Sequence, residues 1–140
     1  MNTITKDERS DVSELFEQSI ASFSTQTARS LAELRALILA VQAENPEVGE
    51  LSEVLRWGQV SYLTEQTGSG SMIRLGLSKS GDPAMFFHCG TTLIETFRAQ
   101  YTHLFEFEGN RTLVVSGPID DVSFELKHCI HQALTYKLRK

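Results

Sequence analysis

The stretch from Leu51 to Leu63, LSEVLRWGQVSYL, constrains the fold most, because it holds the chain's only tryptophan and marks the step from a helical first third into β-rich sequence. Residues that fit a pleated, half-buried surface dominate Val54 to Leu63, which reads as a strand interrupted at Gly58. Trp57 is a large apolar ring and Gly58 after it has no Cβ. Together they are expected to place that ring in the core and to bend the strand. Everything upstream then reads as cover for a sheet, and everything downstream as its extension.

Upstream, Val12, Leu15, Phe16, Ile20 and Phe23 recur at helical spacing behind Asp11, which predicts a first helix of about three turns capped by that aspartate. Ser30-Leu31-Ala32-Glu33 is a capping box, and Leu31, Leu34, Ile38 and Val41 continue it as an apolar stripe. That second helix must stop before Asn45-Pro46, since a residue preceding proline is pushed out of the helical region.

Downstream, Ile73, Leu75 and Leu77 alternate with Arg74, Gly76 and Ser78, and Ala84 to Cys89 (AMFFHC) is apolar enough for a central strand. Thr92-Leu93-Ile94-Glu95 opens a third helix, burying Leu93, Phe97, Tyr101 and Leu104. Phe105 to Glu108 and Thr112 to Val115 flank Gly109-Asn110 as a hairpin. A last helix runs from Asp120-Asp121 to the C-terminus. The order ααβββαββα predicts an α+β fold of two layers, an antiparallel sheet of about five strands with helices packed on it.

A chain of 140 residues is one domain by length, here 1–140, with 1–10 expected to be flexible. The net charge of −5 lies in the front: residues 1–60 carry five Lys/Arg against ten Asp/Glu, whereas 61–140 carry eight of each. An acidic chain without a basic stripe lacks the footprint of a nucleic-acid binder. The longest apolar run, Ala36 to Val41, is too short to span a bilayer, and MNTITKDERSD lacks the apolar core of a signal peptide. These features predict a cytoplasmic protein, in which Cys89 and Cys129 stay free thiols.

Several residue sets carry potential chemistry. Glu125-x-x-His128-x-x-His131 has metal-ligand types one helical turn apart, although a bundle-type di-metal centre needs that spacing twice. Cys89 stands between a strand end and a helix start, where a thiol pKa can fall, yet His88 as its strand neighbour points to the opposite face. Asp7, Glu8, Asp11, Glu14 and Glu17 suit hard cations such as iron, and equally suit a solvated helix start. Trp57, Tyr62, Arg74, His88 and Arg111 combine aromatic and cationic groups that fit a small anionic or planar ligand in a cleft on the sheet. Neither a phosphate-binding P-loop nor a GxGxxG motif is present.

Arg56-Trp57-Gly58 with Ser61-Tyr62, the strand AMFFHC followed by Thr91-Thr92-Leu93, FEFEGNR from Phe105 to Arg111, and the closing ELKHCIHQALTYKLRK resemble the YdhG-like family of small bacterial domains. The likeness runs from about Leu31 to Lys140 and implies an α+β fold. Some members are described as frataxin-like iron chaperones, which hand ferrous iron to iron–sulfur or haem assembly through acidic surface residues. The resemblance thus implies a non-catalytic iron-binding role, for which Asp7, Asp11 and Glu14 are the candidate ligands. The alternative is a binding or regulatory domain for a small molecule held near Trp57 and Arg111, with a protein partner as a further option.

Overall fold

The computed structural model of the chain describes residues 2, 3 and 13–139. Its elements are β1 (Asn2–Thr3), α1 (Glu14–Ile20), α2 (Thr25–Glu44), β2 (Ser52–Arg56), β3 (Gln59–Leu63), β4 (Ile73–Leu77), β5 (Pro83–Phe87), α3 (Leu93–Gln100), β6 (Glu106–Glu108), β7 (Thr112–Val114) and α4 (Ser123–Leu134). The seven strands form one antiparallel sheet in the order β1-β2-β3-β4-β5-β7-β6. After β5 the chain leaves through α3, lays β6 on the edge, and returns as β7 between the two.

The fold is α+β, as the element pattern predicts, but the strand count is higher than about five. The bend expected at Gly58 is a full hairpin. Trp57 has φ 52° and Gly58 φ 76°, and Arg56 pairs with Gln59 across them. Positive φ at both central residues makes the two-residue turn whose twist matches its flanking strands. One expected strand is therefore two, and β1 adds another. The same turn corrects the place of Trp57, which is 79% exposed rather than in the core.

Helix ends also differ from their sequence signals. Ser13, not Asp11, caps α1, accepting the Phe16 N–H at 3.1 Å, and the helix has seven residues; Asp11 lies outside the described residues. In α2 the cap is Ser24, so the Ser30-Glu33 box falls inside a helix already under way. Propagation adds one hydrogen bond for each residue fixed, and nothing in Thr25 to Arg29 breaks it. At α3 the Leu93 N–H is taken by the hydroxyl of Thr91 (3.3 Å) rather than that of Thr92, and Tyr101 and Leu104 lie beyond its end. The last helix stops at Leu134, before the C-terminus, because its final carbonyls are claimed from outside. Ser69 Oγ donates to the Leu134 carbonyl at 2.8 Å and the Ser71 N–H to that of Ala133 at 2.8 Å. Between them Gly70 passes so close that a Cβ would stand 2.2 Å from the Leu134 carbonyl carbon.

The core lies between the helices and one sheet face. Val60, Tyr62, Ile73, Leu75, Met85 and Phe87 point into it from the strands, and all four helices contribute to the same cluster, among them Phe16, Leu34, Phe97 and Ile130. Side chains alternate along a strand. Ser61, Arg74, Phe86 and Thr112, which pair across β3, β4, β5 and β7, therefore stand on the face turned away from the helices.

One part of the core is ionic. Arg35 on α2 and Glu53 on β2 are 3% and 0% exposed, and the Arg35 Nε donates to Glu53 Oε2 at 2.8 Å. The Tyr62 hydroxyl donates to the same oxygen at 2.7 Å, and the Ser13 hydroxyl donates to Oε1. The Arg35 guanidinium also lies 5.5 Å from the centroid of the Phe16 ring. One carboxylate thus ties α1, α2, β2 and β3 together.

Candidate ligand site on the open sheet face

Arg74 is the centre of this face. It sits on β4 between Ser61 of β3 and Phe86 of β5. Its guanidinium carbon lies 4.9 Å from the Trp57 ring centroid and 5.6 Å from that of Phe86. Arg74 Nη1 also donates to Gln59 Oε1 at 2.9 Å. Gly76 makes room for this arrangement. A Cβ there would stand 2.6 Å from Gln59 Nε2 and 3.3 Å from Phe86 Cε2, so the missing side chain lets both lie down on the sheet beside Arg74.

The fold gains little from Trp57. A left-handed backbone disfavours a residue with a Cβ by about 1–2 kcal/mol. A partly exposed cation–π contact returns only about 0.5–1 kcal/mol. Asparagine or glycine would serve the turn better, and neither would leave a large ring in water. What the position does supply is a planar surface, backed by Arg74 and open to solvent.

Arg111, exposed in the β6–β7 turn, stands one strand further on, where its carbonyl accepts the Phe87 N–H at 2.7 Å. Burial lowers the Arg74 pKa, and repulsion from the Arg111 guanidinium lowers it further, while Cys89 acts the other way. Among the described residues, neither arginine has a carboxylate within ion-pair distance. The two guanidinium charges thus repel one another without a carboxylate paired to either. Arg56, Glu106 and Glu108 share the face, and Glu108 accepts the Lys79 N–H of the β4–β5 turn at 3.1 Å.

The remaining residues singled out from sequence fall elsewhere. Tyr62 is on the opposite face, 0% exposed and committed to Glu53, so it lines no open cleft. Burial, then the Glu53 charge, raises its pKa well above the ordinary tyrosine value. His88 follows β5 and lines a cleft of about 490 Å³ with Leu63, Met72, Thr91, Tyr136 and Lys137. Its Nδ1 accepts the Gly90 N–H at 3.0 Å, and the neighbouring Cys89 is an exposed free thiol.

Of the candidate metal ligands, Asp7 and Asp11 lie outside the described residues, and Glu14 is exposed in the first turn of α1. The Glu125, His128 and His131 pattern does not converge on one point. His128 Nδ1 is hydrogen-bonded to the Tyr101 hydroxyl at 2.7 Å, whereas His131 Nε2 faces Glu47 at 3.9 Å. Among the described residues no group of three or more His, Cys, Asp or Glu side chains is gathered as a metal site. No helix among them is long and apolar enough to cross a membrane.

Sequence reasoning found Trp57, Arg74 and Arg111 but missed Gln59 and Phe86, which complete the setting of Arg74. The signal was available, since cross-strand neighbours of the same parity share a face. It needed the register, which a hairpin mistaken for a bend had hidden. Set against protein-family models, curated proteins and solved structures, the chain matches none.

Proposed function

We propose that this chain is a non-catalytic binding domain that takes a small planar or anionic ligand on the open sheet face, between Trp57 and Arg111. The observation that carries this reading is the Trp57 ring, 79% exposed, in a strained turn, and backed at 4.9 Å by an arginine with no carboxylate partner among the described residues. A ring stacked on Trp57 gains aromatic contact area on a surface already held in place, and an anion offsets the repulsion between Arg74 and Arg111. The iron-chaperone reading rests on the acidic front, where Asp7 and Asp11 lie outside the described residues.

The test is thermal unfolding against a panel of aromatic carboxylates, aromatic phosphates and, under anaerobic conditions, ferrous iron. A ligand at about a hundredfold its Kd stabilises by about 2.7 kcal/mol, a shift of roughly 5–10 °C at this size. The expected result is a shift with planar anions that disappears in Arg74→Gln. A shift with ferrous iron and with none of the planar anions would overturn the proposal in favour of the iron reading.

A further inference from the structure

The ends of three strands frame a cleft. β3 ends at Leu63, β4 begins at Ile73 and β5 ends at Phe87, and Ile73 pairs with both Tyr62 and Phe87, so these ends lie in one row. Beyond them opens the cleft of about 490 Å³, at the end of β3 away from the Trp57 turn. Glu65 follows β3 and His88 follows β5, which sets their strands about 10 Å apart, two inter-strand spacings, with Met72 of the middle strand between them. Lys137 lines the cleft from the segment after α4.

The walls are fastened. Thr64 Oγ1 accepts the Gly70 N–H at 3.0 Å and donates to the Gly70 carbonyl at 3.3 Å, which ties the 64–70 loop to itself. The Lys137 N–H donates to the Ser69 carbonyl at 2.9 Å and joins that loop to the chain after α4. Gly90 lets the His88 ring fold back on it, since a Cβ there would stand 2.8 Å from the ring's Cε1. Because Nδ1 accepts the Gly90 N–H, the neutral ring carries its proton on Nε2.

Several polar groups of the cleft are already spent. The Thr91 hydroxyl donates to the His88 carbonyl at 2.7 Å and accepts the Leu93 N–H, and the Tyr136 hydroxyl accepts the Thr92 N–H at 3.3 Å. Uncommitted among the described residues are the Glu65 carboxylate, the Lys137 ammonium and His88 Nε2, while the Ser71 hydroxyl serves either sign of charge. A simple anion would meet Glu65, and a simple cation would meet Lys137. A ligand carrying both charges pairs with each. Leu63 and Met72 supply apolar surface for the rest of it.

We infer that this cleft binds a zwitterionic amino acid with an apolar side chain, its ammonium on Glu65, its carboxylate on Lys137 and the His88 Nε2–H, and its side chain against Met72 and Leu63. The site goes beyond the open-face reading and shares neither Trp57 nor Arg74 with it. Two sources present this chemistry, a free amino acid and a short peptide, whose termini carry the same two charges further apart.

The experiment is a calorimetric titration of the intact chain with L-leucine, leucyl-leucine, 4-methylpentanoate, which lacks the ammonium, and 3-methylbutylamine, which lacks the carboxylate. Leucine or leucyl-leucine is expected to bind about tenfold or more tighter than either singly charged analogue, the worth of one charge-assisted hydrogen bond. Whichever of the two is tighter identifies the source. Glu65 and Lys137 are both exposed, so their substitution leaves the core intact. Glu65→Gln is expected to erase the preference over 4-methylpentanoate, and Lys137→Gln to weaken the preference over 3-methylbutylamine. Equal binding of the zwitterions and either analogue by the parent chain would overturn the inference, and so would failure of both leucine and the dipeptide to bind. A preference over 4-methylpentanoate that survives Glu65→Gln would overturn it too, since the ammonium would then be read elsewhere.

Discussion

Glu53→Ala is expected to destabilise the protein by about 3–5 kcal/mol, the loss seen when one partner of a buried ion pair is removed. The carboxylate is 0% exposed and receives hydrogen bonds from Arg35, Tyr62 and Ser13. Without it the Arg35 guanidinium, 3% exposed, keeps its charge in the core with no counterion. A domain with a total stability of about 5–15 kcal/mol then loses a large share of it, read as the midpoint of urea unfolding. The double variant Arg35→Met with Glu53→Leu removes both charges together, and is expected to be more stable than Glu53→Ala alone. A Glu53→Ala protein that unfolds at the parent's urea concentration would show that the four elements do not depend on this carboxylate.

Stability is also expected to fall steeply in alkali. Burial, then the Glu125 charge, pushes the Cys129 thiol from 9.0 up to about 12. A folded-state pKa above the unfolded value means that the native chain holds its proton more tightly. The stabilisation is therefore fully present below pH 9 and is lost as the pH rises towards about 12. Each pH unit in that window removes about 1.4 kcal/mol, so roughly 2 kcal/mol is gone by pH 10.5. Tyr62 adds to this with the same sign, beginning near the ordinary tyrosine value, because burial and Glu53 raise its pKa. Urea unfolding between pH 8 and 10.5 reads the slope, and Cys129→Ala is expected to flatten it. A slope unchanged in Cys129→Ala would mean that the thiol does not titrate with folding.

The sheet, its alternation and the two long helices were readable from residue pattern, because burial on one face leaves a periodic trace. Leu31, Leu34, Ile38 and Val41 are all buried on α2. The ionic core was not readable in the same way. Arg35 and Gln42 occupy the same helical stripe as Leu31 and Ile38, each four residues further along, but a pattern of apolar residues counts them as interruptions. Trp57 misled for a related reason. Its size argued for the core, and only its backbone angle, which no composition reveals, puts it in a hairpin turn. The candidate site then depends on register, which brings Arg74, Gln59, Phe86 and Trp57 together from three strands and a turn.

That Trp57 serves a ligand rather than the fold is tested most directly by thermal unfolding of Trp57→Asn with and without phenyl phosphate. Asparagine tolerates the left-handed turn, so relief of about 1–2 kcal/mol outweighs or cancels the lost arginine contact of about 0.5–1 kcal/mol. The ligand-free variant is expected to melt at or slightly above the parent temperature, and to show none of the parent's ligand-induced shift. A ligand-free midpoint lower by about 10 °C, as for a core tryptophan worth about 3–5 kcal/mol, would contradict the account, and so would a full ligand shift without the ring.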